Sequence, residues 1–376
     1  MQAQWVSADY RTFAAQPVVL PKSLMLDTLQ NIWSLMGLLL LAAVLLEALL
    51  QLLHGARGGR GDPREACDAY TDRAWLKQHL ADCNALGFVW QPYTGFRHSP
   101  FAGRTVTVDN DGLRADGGVQ GDVWMFGGST VFGVGAGDRA TIPALLSAQA
   151  GRPVRNMGTI SHVSTQEIIA LAERLKRGER PALVVFYDGV NDAICAVQSG
   201  RAGWPYAAAN RAREFMLLNR RSPLMWATLQ AWFPRLGKRL ARPAASAAGT
   251  ADPAAVVALY AENMRQLRAL AAAYGFPVLA VWQPILYGKV RMTAYEAEVA
   301  RLFAGEASSF CTAVYAARRT MSPLPGMLDL GSLLDDVPHT LFLDPFHLTE
   351  DGNRRVADAL LPHVRAALDD SSRARG

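Results

Sequence analysis

Hydrophobic residues fall along this chain in three rhythms. The first is a nearly continuous apolar run over residues 32–53, broken by Glu47 and Gln51. About 20 consecutive apolar residues span a bilayer as a helix, so the run predicts a membrane anchor. It has 31 residues ahead of it and no small-residue cleavage site behind it, which favours a retained anchor over a cleaved signal peptide. A long amphipathic or buried helix is the alternative, and Glu47 favours it, although this residue is near enough to the helix end to reach the interface. The second rhythm is alternation: Thr105, Val106, Thr107 and Val108 run into Asp109-Asn110-Asp111-Gly112, the pattern of a hairpin or edge strand closed by a glycine turn. The third begins near residue 122, where short apolar runs alternate with helical stretches.

In that third region residues 123–126, 154–157, 182–187, 278–282 and 327–330 read as strands. Helices are expected over residues 142–149, 165–176 (Thr165 as N-cap), 254–274, most of 293–319, and from the cap Thr349 to about residue 368. Strands and helices in alternation imply a parallel sheet covered on both faces. Residues 193–252 break the rhythm with Trp204, Tyr206, Phe215, Trp226, Trp232 and Phe233, then an Arg/Pro/Ala-rich tail. They read as an insertion, either a lid or substrate wall or a helical excursion packed on the sheet. The division expected is an arm over 1–31, the anchor over 32–53, a glycine-rich linker over 54–63, a lead-in segment over 64–118, and an α/β domain over 119–370 carrying the 193–252 insertion.

Composition changes this picture little. Of 376 residues, 50% are hydrophobic and 19% charged, enough for a sizeable core. The net charge of +5 comes from scattered arginines, with no basic block interleaved with aromatics, so no nucleic-acid surface is expected. Arg11 and Lys22 precede the apolar run, and Arg57, Arg60 and Arg64 follow it. That slight bias alone would keep the large domain cytoplasmic, but long domains translocate largely regardless of charge. Four cysteines, at 67, 83, 195 and 311, form no C-x-x-C pair. Cys67 and Cys83 are read either as a disulfide or, with the others, as buried free thiols.

The chemistry gathers at strand ends. Ligands of open α/β sheets sit beyond the carboxyl ends of the strands. There the sequence places Gly127-Gly128-Ser129, then Asn156-Met157-Gly158, then Asp188-Gly189-Val190-Asn191-Asp192. Asp344-Pro345-Phe346-His347 adds an acid and an imidazole just before the last helix. A serine becomes a useful nucleophile once an oriented imidazole removes its proton, and the chain holds those parts in the order Ser, Asp, His. A side-chain amide such as Asn191 is a donor for a developing oxyanion. His162 reads as a loop histidine, with a pocket-lining role as the alternative, and Gln283-Pro284 either as shaping the site or as a structural turn. Asp188 and Asp192 suit a metal less well than the oxyanion reading, and His79, His98, His339 and His363 lack zinc-ligand spacing. No metal and no cofactor are expected.

These motifs resemble the SGNH/GDSL hydrolases over roughly residues 120–370. The first block of that family, usually GDS, is matched by Gly127-Gly128-Ser129, a variant associated with membrane-anchored bacterial members. Its G-x-N-D block is matched by Gly189-Val190-Asn191-Asp192. Its D-x-x-H block is matched by Asp344 and His347, followed by Leu348. The second block, N-x-G-x-x-G, departs from the pattern, since Ser161 stands where the last glycine would be. The resemblance implies a flavodoxin-like three-layer α/β/α fold. It implies Ser129 as nucleophile, His347 as base and Asp344 as its orienter. An oxyanion hole would then be drawn from Ser129, Asn191, Gly189 and, if the backbone is kept, the N–H of Ser161. If that position requires positive φ, serine adopts it at some cost.

Together the anchor and the resemblance lead to an expected function. It is a single-pass protein of the cytoplasmic membrane whose catalytic domain lies outside the cytoplasm. It would remove O-acyl groups, foremost O-acetyl, from cell-envelope or exported polysaccharide, in company with envelope biosynthesis proteins. A polysaccharide O-acetyltransferase using the same residues, a lipid acylhydrolase, and a non-catalytic envelope scaffold or glycan-binding subunit are the alternatives.

Overall fold

The computed structural model describes residues 22–57, 61–115, 121–208, 211, 232, 251–321 and 326–373. Helix α1 (Lys22–Arg57) belongs to one compact unit, and the described residues from 61 onward, Trp232 excepted, belong to a second. Within α1, Leu26–Leu53 is long and apolar enough to cross a membrane, with a mean hydropathy of 2.3. The helix starts ahead of residue 32 because no glycine or proline interrupts residues 22–36. Most of its leucines are exposed, whereas Glu47 is buried and accepts a hydrogen bond from Gln51 Nε2 at 3.2 Å. The expected arm up to residue 21, residues 58–60 of the linker and nearly all of 209–250 lie outside the described residues. The lid reading of the insertion therefore stays with the sequence.

The second unit opens with a 3-10 turn, Pro63–Ala66, and helix α2 (Arg73–Ala85). Two antiparallel pairs follow: β1 (Phe88–Gln91) with β2 (Gly95–His98), and β3 (Phe101–Ala102) with β4 (Thr107–Val108). The alternating run is thus a short strand, and its turn closes at Gly112, whose φ is +80°. Asp109 Oδ1 accepts from the N–H groups of Asp111 and Leu113 to hold it.

Thereafter the strands are β5 (Val123–Gly127), β6 (Val154–Asn156), β7 (Leu183–Asp188), β8 (Val278–Trp282) and β9 (Met327–Asp329). They form one sheet in the order β6-β5-β7-β8-β9, every pair parallel. Numbered within the sheet, that order is 2-1-3-4-5, the flavodoxin-like winding whose switch point falls between the first and third strands. The helices are α3 (Ser129–Phe132), α4 (Ile142–Ala150), α5 (Ser164–Lys176), α6 (Val190–Ser199), α7 (Pro253–Tyr274), α8 (Ala294–Leu302), α9 (Glu306–Thr320) and α10 (Glu350–Arg373).

Both sheet faces are covered, which explains why the strands read as continuous apolar runs. Side chains alternate across a strand. Trp124, Phe126, Val184, Phe186, Ala280 and Trp282 join the core under α5, α6, α7 and α9. Val123, Met125, Val185, Tyr187 and Val281 join the opposite core under α4, α8 and α10.

One local expectation needs correction and two open readings are narrowed. Thr165 does not cap α5: the helix starts one residue earlier, at Ser164, and Gln166 Oε1 accepts from the Val163 N–H at 3.1 Å. The Thr165 hydroxyl instead accepts from Asn263 Nδ2. The helix expected over 293–319 is two helices, because Gly305 starts a new one at Glu306. Cys67 and Cys83 form no disulfide, and all four cysteines are free. Cys67 is packed with Tyr70, Leu76, Leu80 and Leu343, while Cys83 Sγ lies 3.5 Å from His79 Nε2. Burial pushes the Cys67 and Cys83 thiols up to about 11 and those of Cys195 and Cys311 to about 12. Thiols so placed are poor nucleophiles.

Candidate active site

The switch point lies between β5 and β7, and two of the sequence motifs leave the sheet there. Ser129 follows β5 at the start of the single turn α3. Gly128 makes this turn feasible: a Cβ at that position would stand 1.9 Å from Asn191 Nδ2. After β7, Gly189 takes φ +127°, a value that disfavours any side chain, and its α-carbon faces the Trp282 ring and the Tyr315 hydroxyl. This turn starts α6 and brings Asn191 against the Ser129 loop.

Asp344 and His347 arrive from the far end of the chain on a tight loop. Leu343 N–H donates to His347 O at 2.8 Å, and Phe342 bridges Leu348. Ser129 Oγ then lies 2.7 Å from His347 Nε2, and His347 Nδ1 lies 2.7 Å from Asp344 Oδ2. Asp344 Oδ1 accepts from the N–H groups of Phe346 and His347, each at 3.0 Å. Burial by itself would raise the Asp344 pKa. The facing His347, its hydrogen bond, the Phe346 N–H and the Arg64 charge outweigh burial and hold the carboxyl below its usual value. Two further contacts join the loops: Thr130 Oγ1 donates to Phe346 O at 3.4 Å, and Gln283 Nε2 donates to Thr130 Oγ1 at 3.3 Å.

The other motif residues take several roles. Asn191 Nδ2 donates to His162 O at 2.8 Å, which fixes the amide and leaves its second hydrogen for another acceptor. Asn156 Nδ2 donates to Val131 O and its Oδ1 accepts from Gly158 N–H, so this residue braces the loop after β6 against α3. Ser161 has φ +65°, the left-handed conformation that glycine adopts freely. The ring of His162 points away from the site, with Nε2 bonded to Phe96 O, and burial lowers its pKa to about 4. Asp192 accepts from both the hydroxyl and the N–H of Ser164, tying α6 to α5. No grouping of three or more potential metal-ligating residues exists among the described residues.

Two features went unread in the sequence. Arg64 reaches the acid from the lead-in segment, with Nη1 3.7 Å from Asp344 Oδ2. Glu167 forms a fully buried acidic group with Asp188 and Asp192 beneath the Asn191 turn. Burial and the Asp188 charge push Glu167 well above the carboxylate range, and burial does the same to Asp188. Burial thus favours the neutral form of both carboxyls. An acidic residue inside an otherwise amphipathic helix was the available signal for Glu167. For Arg64 there was none.

No family model and no curated protein matches this sequence. Solved structures do resemble it. One is a member of the lipolytic protein G-D-S-L family from Veillonella parvula DSM 2008, at TM-score 0.33 and 13% identity, over 64% of this chain and 96% of that one. Another is Axe2, an acetylxylan esterase from Geobacillus stearothermophilus, at TM-score 0.31 and 14% identity, over 65% and 94%. A third is the acetyl xylan esterase AlAXEase, at 0.33 and 15%, over 64% and 98%. The first of these carries the G-D-S-L name of the family that the motifs resemble, and the other two are named as esterases. At such TM-scores they add no weight to the chemistry, which stands on this chain's own winding and side-chain geometry.

Proposed function

We propose that this chain is a membrane-anchored serine esterase of the SGNH kind that removes O-acyl groups, foremost O-acetyl, from cell-envelope or exported polysaccharide. The observation that carries the reading is the continuous relay Ser129–His347–Asp344, with both contacts at 2.7 Å. The anchor supports the choice of an envelope polymer, since the span Leu26–Leu53 would tether the enzyme beside it. The acetyl preference rests on the motif resemblance.

In this mechanism Ser129 Oγ attacks the ester carbonyl while His347 Nε2 takes its proton. Asp344 holds the imidazole with Nδ1–H toward itself, so that the Nε2 lone pair faces the serine, and offsets the charge of the imidazolium that forms. The negative charge on the carbonyl oxygen is met by the Ser129 N–H, the free hydrogen of the Asn191 amide and the Ser161 N–H. Gly189 supplies the turn that aims Asn191. His347 then protonates the departing sugar alcohol. Water, deprotonated by the same imidazole, releases acetate and regenerates Ser129.

The test is p-nitrophenyl acetate hydrolysis by the full chain in detergent, beside Ser129→Ala. Turnover that disappears in the variant is expected, and deacetylation of an acetylated polysaccharide is the next assay. Folded wild-type protein without turnover would refute the esterase reading and move the site to acyl transfer onto a supplied glycan.

A further inference from the structure

The lead-in segment reaches the rear of the relay. Asp62 accepts from the Arg64 N–H at 3.0 Å and caps the 3-10 turn. The same carboxylate holds one edge of the Arg64 guanidinium, with Nε at 3.0 and 3.1 Å from its two oxygens and Nη2 at 2.7 Å. That edge is thereby satisfied, and the remaining nitrogen, Nη1, is left 3.7 Å from Asp344 Oδ2. This is the oxygen that also receives His347 Nδ1. The Arg64 and Asp344 side chains are 19% and 6% exposed, so little water lies between the charges. The segment itself is fixed: Cys67, Tyr70 and Leu76 pack with Leu343 next to the acid, and the Tyr70 hydroxyl donates to Gly135 O.

We infer that Arg64, oriented by Asp62, is a positioning residue for catalysis, whose guanidinium beside Oδ2 holds the Asp344 carboxylate turned toward His347. The relay then has five members, Asp62–Arg64–Asp344–His347–Ser129. This inference rests on the triad reading above. A guanidinium suits the place because its planar fork serves two carboxylates at once. Surface pairing alone would leave Arg64 on Asp62 with no charge near the active acid. Here Asp344 has both oxygens engaged, Oδ1 by two backbone N–H groups and Oδ2 by imidazole and guanidinium. Such a carboxylate has one low-energy orientation, which is what a base-orienting group requires.

The experiment compares Arg64→Gln with Arg64→Lys in the full chain, both close to arginine in bulk and differing in charge. Arg64→Gln is expected to lower kcat on p-nitrophenyl acetate about tenfold, the order at which outer-shell partners of metal ligands act, with KM within about twofold. Arg64→Lys is expected to recover most of that loss, and free guanidinium at millimolar concentration to restore part of it to Arg64→Ala. Equal kcat values for the Gln and Lys variants would overturn the inference, as would a Gln variant with wild-type kcat. If Arg64→Ala does not fold, the Gln and Lys pair still decides. Failure of the triad reading is seen separately, as wild-type turnover that survives Ser129→Ala.

Discussion

Asp344→Asn tests the relay at the link whose geometry is best defined. The amide has two orientations, and each forfeits something different. In the first, its oxygen stays on the Phe346 and His347 N–H groups, which donate to Oδ1 at 3.0 Å each. The NH2 then faces His347 Nδ1 at 2.7 Å, so the imidazole must move its proton to Nε2 and accept instead. In the second, the NH2 faces two backbone donors and leaves both unsatisfied. An unsatisfied buried donor costs about 1–3 kcal/mol, so two cost more than one tautomer change and the first orientation wins. With the proton on Nε2, His347 has no lone pair for the Ser129 hydrogen. The Asp-to-Asn change at the orienting acid of a serine protease lowers kcat by about 10⁴, equal to about 5 kcal/mol of barrier. A fall of 10³–10⁴ in kcat/KM on p-nitrophenyl acetate is therefore expected, with the thermal unfolding midpoint nearly unchanged. Turnover within tenfold of wild type from the folded variant would refute the role given to Asp344.

Three further outcomes follow from the surrounding contacts. Gly128→Ala puts a Cβ 1.9 Å from Asn191 Nδ2, so it should displace that amide and match Asn191→Ala, each losing about 10²-fold in kcat; unchanged turnover in both would remove Asn191 from the oxyanion site. Ser161→Gly should keep stability within about 1 kcal/mol, since relief of left-handed strain offsets the entropy of glycine, whereas Ser161→Val should be clearly destabilised and slower, as thermal melts and kcat would register. Glu167 has its folded-state pKa raised well above 4.5. The native state therefore binds the extra proton, and wild-type stability falls as pH rises from about 4.5 toward the folded value. Glu167→Gln removes this penalty, so its advantage in denaturant titrations should grow as pH rises above about 4.5; a difference independent of pH would contradict the raised pKa of Glu167.

The sheet was legible because burial on both faces writes itself as apolar runs, and β5, β7 and β8 fall where those runs do. Ser129 and Asn191 were legible as candidates for another reason, each lying just beyond a strand end with a glycine close by, whereas Asp344 and His347 were legible by their spacing just ahead of the last helix. What composition could not convey was long-range pairing. The sequence shows Thr165 as a good cap, but Asn263, nearly a hundred residues away, takes its hydroxyl and the helix begins on Ser164 instead. Ser161 reads as a departure from a glycine motif, and only the backbone reveals that the left-handed conformation is kept. Arg64 lies among flexible-looking glycines and prolines, and nothing local connects it with a carboxylate 280 positions later. The cysteine spacing allowed a bridge or free thiols, and the structure decides because Cys67 and Cys83 face different neighbours, Leu343 and His79.

The two buried acids of the site, Asp344 and Asp188, show how environment assigns protonation. Both are almost wholly removed from water, so burial favours the neutral form in each. Asp344 has donors on both oxygens, two of them backbone N–H groups, and a cationic guanidinium 3.7 Å away. Those contacts favour the anion, and the net shift is downward. Asp188 has other carboxyl groups for neighbours, Glu167 and Asp192, and no comparable cation among the described residues, and its shift is upward. The charged acid is thus the one behind His347, where an imidazolium must form. The upward shifts of Glu167 and Asp188 under the Asn191 turn disfavour negative charge near the place where the oxyanion is proposed to develop. An inversion of those two states would oppose the reaction at both ends, by denying the imidazolium its counter-charge and by repelling the oxyanion. The chemistry proposed for Ser129 thus depends on donor placement around two carboxylates as much as on the serine itself.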